Sequence, residues 1–169
     1  MSTLLDRVAA LTIEIDSPDE TVRVSLGRTS GVSIDFDDDI MDLHTEESLE
    51  EQIELALSAA IEEYELETSR LREEIYGPTA RQANPKQLRF REMCEKIKFS
   101  TQSQTHHIAI DWSGSADIVV AISPGTFSEL TQDQLSSEAN TIVHAALTVY
   151  SQSVKAIQSH VYLRSPDHP

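Results

Sequence analysis

The feature that most constrains this chain is a repeat of burial pattern. Displaced by 86 positions, Val22, Val24, Leu26, Val32, Ile34, Phe36 and Met41 fall without a gap on Ile108, Ile110, Trp112, Ile118, Val120, Ile122 and Phe127. The next stretch follows: Thr45, Leu49, Ile53, Ala56, Leu57, Ala60 and Tyr64 land on Thr131, Leu135, Ala139, Ile142, Val143, Ala146 and Tyr150. Of the 18 apolar residues in Val22–Tyr64, 15 meet an apolar residue in the second copy, where chance would give about nine. Only five aligned positions are identical. What recurs is an arrangement of buried and exposed positions and not a set of reactive groups.

Local patterns give the elements. Leu4, Leu5, Val8 and Leu11 are spaced as one face of a short helix behind Ser2 and Thr3. Thr12–Asp16, Val22–Leu26 and Val32–Phe36 alternate apolar and polar residues around the turn-forming Ser17–Glu20 and Gly27–Gly31, which predicts three antiparallel strands. The second copy places strands at Lys98–Thr101, Ile108–Trp112 and Asp117–Ile122 around the turn Ser113-Gly114-Ser115. Val119 and Ala121 make its last strand apolar on both faces, so that strand is expected to be covered on both. An acidic connection, Asp37–Asp42, leads to a long helix from about Thr45 to Tyr76, and a second runs from about Gln132 to Val161. Thr45 suits an N-cap, and Thr131 with Gln134 a capping box. Gly77-Pro78 reads as a left-handed helix end, and Asn84-Pro85 as a capped start with a first-turn proline. At 1.5 Å per residue each long helix extends ~45 Å, beyond a three-stranded sheet, so its far end must pack on another helix or project.

The fold class is therefore α+β: two tandem units of one helix, three antiparallel strands and a long helix. The first spans residues 1–78, a linker 79–84, the second 85–163 and a tail 164–169. Each unit is small for an independent core. Leu49, Ile53, Ala56 and Ala60 are expected to face a core continuous with Leu135, Ala139, Ile142 and Ala146, so that the chain unfolds as one unit.

Charge divides the chain unevenly. Residues 1–84 carry 6 basic and 21 acidic groups and residues 85–169 carry 7 and 8, giving −15 and −1 of the total −16. Such a surface repels phosphate backbones and anionic lipid at long range and favours a basic protein partner or simple solubility. The single cysteine, Cys94, excludes an internal disulfide and suits a reducing compartment. It lies 86 positions after Val8, as a small buried hydrophobe would. No apolar run approaches membrane-spanning length, and Met1–Leu11 lacks the pattern of a signal peptide, so a cytoplasmic protein without a membrane partner is expected.

No catalytic constellation stands out. Asp35, Asp37, Asp38 and Asp39 lack the glycine and the closing glutamate of a calcium loop. His106 and His107 are adjacent on a predicted strand edge and so point to opposite faces, and His44, His144, His160 and His168 show no metal-binding helical spacing. Ser113 and Ser115 lie on a hairpin, away from any strand-to-helix elbow, and no phosphate-binding glycine loop occurs. No enzyme, metal or cofactor is expected. One segment opposes the general acidity: residues 81–98 carry six basic and two acidic groups, a local charge of +4. Lys86, Arg89 and Lys96 share a predicted helical face there, and with Arg91 and Lys98 they are the candidate nucleic-acid contacts. The competing reading is that this stripe neutralises the acidic half.

The order of elements, the third strand ending in Val32-Ser33-Ile34-Asp35-Phe36 and the acidic connection before a long helix with central alanines resemble the YbaB/EbfC family. Thr12–Glu67 carries the likeness best, and Ile97–Val161 is more divergent. Members of that family dimerise through their sheets with long helices projecting like tweezers, and many are nucleoid-associated DNA-binding proteins. Relatives in mycobacterial type VII secretion look like chaperones or accessory factors. The resemblance implies that this tandem chain is a covalent pseudo-dimer. It departs from the family in charge, since Glu50, Glu51, Glu54, Glu62, Glu63, Glu65 and Glu67 are expected on the exposed side of the first long helix. The leading expectation is a non-catalytic adaptor or chaperone-like protein that grips a partner carrying a basic or amphipathic segment. The alternative is a nucleoid-associated DNA-binding protein acting through Lys86, Arg89, Arg91, Lys96 and Lys98.

Overall fold

Capping side chains decide where the helices begin. Thr3, Thr45, Asn84 and Thr131 each accept a hydrogen bond from the backbone N–H three residues on, and the side chains of Asp6, Ser48, Gln87 and Gln134 accept one from the cap's backbone N–H. Four complete capping boxes result, each satisfying two otherwise orphaned donors. The computed structural model describes residues 3–78 and 84–163. In order they form α1 (Leu4–Ala10), β1 (Thr12–Asp16), β2 (Val22–Gly27), β3 (Gly31–Phe36), the one-turn α2 (Ile40–Leu43) and the long α3 (Glu46–Tyr76). The same order continues with α4 (Pro85–Cys94), β4 (Lys98–Gln102), β5 (Ile108–Ser113), β6 (Asp117–Ile122), the one-turn α5 (Thr126–Glu129) and α6 (Gln132–Tyr162).

Two three-stranded antiparallel sheets, β1-β2-β3 and β4-β5-β6, are the outer layers. Their registers align the inward alternates: Ile15, Val24 and Ile34 form one row, and Thr101, Ile110 and Val120 another. Leu49, Ile53, Ala56, Ala60, Leu135, Ala139, Ile142 and Ala146 are all buried, and they belong with the inner faces of both sheets to one cluster. The alanines let helix and sheet backbones approach closely. α3 packs on β1 and β2 and also on β6, while α6 packs on β4 and β5 and also on β3. The apolar void lined by Val24, Leu57, Ile110, Trp112 and Val143 measures about 10 Å³, near the lower limit for a single water. Trp112 fills the second sheet, stacked between Phe99 and Tyr150 at centroid distances of 5.7 and 4.8 Å. Its indole N–H donates to the Gly114 carbonyl over 3.1 Å.

The far ends of the long helices rest on the short ones. α1 lies along α3 and ties to it through Arg7–Glu74 at 2.8 Å, and α4 lies along α6, with Phe90 against Tyr162 and Val161 fully buried.

Each sheet has one edge next to the opposite half's helix, and side chains take the place of the missing strand. The Asn140 amide accepts from the Ile34 N–H and donates to the Ile34 carbonyl, both over 2.8 Å, so it pairs with β3 much as a peptide group would. On the other side Glu54 accepts from Val120 N–H and Glu50 from Ile122 N–H, each at 2.7 Å. Glu46 reaches the Phe127 N–H at 3.3 Å, and the Ser58 hydroxyl donates to the Ala116 carbonyl at 3.0 Å. Glu46, Glu50, Glu54 and Ser58 recur every four residues, one face of α3, and track the length of β6.

Several expectations are corrected. Val119 is 52% exposed and Ala121 is exposed, because β6 presents a plain alternating pattern with only Ile118, Val120 and Ile122 inward. Their apolar character suits a strand surface without requiring cover. Glu50 and Glu54 do not face open solvent: they bond the edge of β6 and are partly buried. Leu5 is 64% exposed, leaving Val8 as the buried contact of α1. Gly77 ends α3 at φ 82° and ψ 172°, a glycine conformation other than the left-handed helical cap. Of the expected linker only Asn84 falls within the described residues, and of the tail none does.

Replacing Asn140 or Glu54 by alanine strands backbone groups of the neighbouring edge. Each substitution is expected to cost about 1–3 kcal/mol, Asn140→Ala more than Glu54→Ala, measured by urea titration against the wild-type chain.

Candidate functional site

The outward side of α3 is rich in carboxylates. Because Leu49, Ile53, Ala56, Ala60 and the Glu46–Ser58 row face inward or toward β6, helical geometry sends Glu47, Glu51, Glu62 and Glu65 into solvent. Glu63 and Glu67 are partly covered. Leu55 and Leu66 stand among these acids, 44% and 43% exposed. Seven residues separate Leu55 from Glu62 and four separate Glu62 from Leu66, so the three share one face. Arg70, paired with Glu67, lies on the last turns of the helix.

Where α3 passes the β5–β6 turn, an open groove of about 380 Å³ is lined by Ser58, Glu62, Glu95, Ser113, Gly114, Ser115, Ala116 and Asp117. A Cβ on Gly114 would stand 3.2 Å from Glu95 Oε2, so this carboxylate lies directly over the turn. Glu65 is exposed as a residue, yet its carboxyl is held above the ordinary range, first by local loss of solvent and then by repulsion from Glu95 and Glu62. Burial, reinforced by Glu65, raises the thiol of half-buried Cys94 and keeps it protonated and unreactive. The same surroundings push the Tyr150 hydroxyl up to about 12, through burial first and then Glu65, Cys94 and Glu95. Among the described residues, no lysine or arginine pairs with Glu62, Glu65, Glu95 or Asp117.

The basic candidates lie elsewhere. Lys86, Arg89 and Arg91 are on α4, while α4 stops at Cys94 with Glu95 as its C-cap. Lys96 therefore sits in the following turn and Lys98 at the start of β4, so Lys96 does not continue the face of Lys86 and Arg89. Arg89, Arg91, Lys96 and Lys98 are exposed and form no ion pair among the described residues, whereas Lys86 is partly buried and engaged. Arg81 lies outside the described residues.

Two histidines that carried no signal in the sequence tie each β-hairpin loop to the start of a long helix. His44, its side chain 7% exposed, has Nε2 2.8 Å from Thr21 Oγ1 and 3.1 Å from Asp19 Oδ2, and Nδ1 2.8 Å from Ser48 Oγ. His107 sits in the turn before β5, not on a strand edge, after His106 at φ 62°. Its ring lies 2.7 Å from Glu129 Oε2 and 3.4 Å from Glu138 Oε1. The hydrogen bond to Glu129, with Glu138 behind it, raises its pKa above 6.5. Thr21 and His107 are equivalent under the 86-residue offset, so the same loop position is tied from opposite directions.

Asp37 gives its carbonyl to the Gln132 side chain at 3.0 Å, and Asp39 precedes α2 without a side-chain cap bond. No three His, Cys, Asp or Glu side chains among the described residues are grouped to hold a metal ion, and no helix among them is long and apolar enough to cross a membrane. Comparisons with protein-family models, with curated proteins and with solved structures found no match.

A histidine with a raised folded pKa stabilises the fold fully below its unfolded value near 6.5, and the contribution disappears as pH rises through the raised value. His107→Gln should therefore lower the melting temperature more at pH ~6 than at pH ~9. Equal losses at both values would show that protonation of His107 contributes nothing.

Proposed function

We propose that this chain is a non-catalytic binding protein with a YbaB-like fold, a covalent pseudo-dimer of two tandem copies, acting as an adaptor or chaperone-like partner of another protein. Matching contacts at equivalent positions support the pseudo-dimer. The offset of 86 relates Glu54 to Asn140 and Val120 to Ile34, and Glu54 bonds Val120 as Asn140 bonds Ile34. A reducing, cytoplasmic setting accords with the single free thiol of Cys94.

The observation that carries the binding reading is the outward side of α3, where exposed carboxylates surround Leu55 and Leu66. Long-range attraction would orient a basic partner, and the leucines would supply contact area once it arrives. This combination suits an amphipathic, basic segment.

DNA binding is the second reading, favoured by Arg89, Arg91, Lys96 and Lys98, which are exposed and form no ion pair among the described residues. The acidity of the first half opposes it, because a duplex meeting the α4 side still experiences the field of the whole chain.

Pull-down from native lysate should recover basic proteins with the wild-type chain and lose them with Leu55→Ser/Leu66→Ser. A gel-shift titration in parallel should show no duplex DNA bound at ~50 mM salt, where phosphate contacts are strong. Retarded DNA whose log affinity falls with log salt at about −0.9 per neutralised phosphate, with no protein lost from the variant, would support the nucleic-acid reading instead.

A further inference from the structure

Resting on the protein-binding reading, we infer that the groove between α3 and the β5–β6 turn, with Leu55 and Leu66 on its α3 flank, is the seat of a basic amphipathic helix from a partner protein. Three features select this occupant. The groove rim carries Glu62, Glu95 and Asp117, all exposed and none paired with a lysine or arginine among the described residues. Carboxylates crowded in this way repel one another, and a cation placed among them removes that repulsion while making several charge-assisted contacts. The carboxyl of Glu65 beside them is raised first by burial and then by repulsion from Glu95 and Glu62.

Leu55 and Leu66 flank Glu62, a lining residue of the groove, on one face of α3, and their separation of 11 residues corresponds to about 16 Å. Apolar side chains about three turns apart on a partner helix match that span. The basic side chain between them then meets Glu62. The groove draws on both halves, α3 from one and the turn and Glu95 from the other, so it exists only when the two halves are packed together. An extended duplex is a poor occupant, because it would bring phosphates against the same carboxylates.

The test uses the full chain and a fluorescent amphipathic Leu/Lys helical peptide, with affinity read by anisotropy. Glu62→Gln/Glu95→Gln/Asp117→Asn removes the rim charges, and Glu14→Gln/Asp35→Asn/Asp38→Asn removes the same number from the first sheet and its following loop. The wild-type chain should bind the peptide, and the rim variant should bind about tenfold more weakly, as loss of a few exposed ion pairs implies. The control variant should change affinity much less. The rim variant should also melt no lower than wild type, since it relieves like-charge repulsion. Equal weakening by both variants would overturn the groove while leaving a protein-binding surface in place. Duplex DNA bound by a chain that ignores the peptide would overturn both the groove and the reading on which it rests. Concentration-dependent self-association lost in the rim variant would make a second copy the occupant and overturn the inference.

Discussion

The structure depends on how two exposed sheet edges are satisfied. A strand at the edge of a sheet presents unpaired N–H and C=O groups, which must find partners once they are covered. Here the partners for β3 come from α6, through Asn140, and those for β6 come from α3, through Glu50 and Glu54. Each half thus completes the other's hydrogen bonding as well as its apolar core. A carboxylate accepting from a backbone N–H makes a charge-assisted bond, and an asparagine can both give and accept. These residue choices place polar side chains at the border of the core while leaving its interior to Ala56, Ala60, Ala139 and Ala146. They also deny β3 and β6 to foreign strands, leaving β1 and β4 as the other edges of the two sheets.

That arrangement divides the acids of α3 into two populations. Glu46, Glu50 and Glu54 hold β6 and its following turn. Glu62 lines the groove with Glu95 instead, and the Glu65 carboxyl is raised first by burial and then by Glu95 and Glu62. The first group ties α3 to the opposite half, whereas the second pairs with no lysine or arginine among the described residues.

Much of this architecture was legible because its causes are local. Thr45, Asn84 and Thr131 carry their capping partners three residues away, and Val22–Leu26 alternates within a single strand. The paired apolar sets, read across the 86-residue offset, also gave the inward faces. What escaped was non-local. Nothing near Glu50 or Glu54 distinguishes them from solvent-facing glutamates, because their partners lie 72 and 66 residues away. Lys96 was placed on a helix because its neighbours form helices readily, with no glycine or proline to mark the stop at Cys94. Val119 looked buried because a β-branched residue suits either side of a strand. His107 gave no signal, as its carboxylate partners lie 22 and 31 residues further along. The four-residue spacing of Glu46, Glu50, Glu54 and Ser58 was the one clue available, and it reads equally well as a solvated face.

The central claim is that the two halves form one cooperative unit, and the single tryptophan permits a direct check. Trp112 is buried in the second sheet, whereas Val22 is fully buried in the first and does not line the void beside the indole. Val22→Asp places an unpaired charge in the first half alone, and the emission of Trp112 reads the second. The emission should shift to that of a solvent-exposed indole, in step with the loss of helical circular dichroism. Native Trp112 emission with part of the helical signal gone would contradict it, because the second half would then stand without the first.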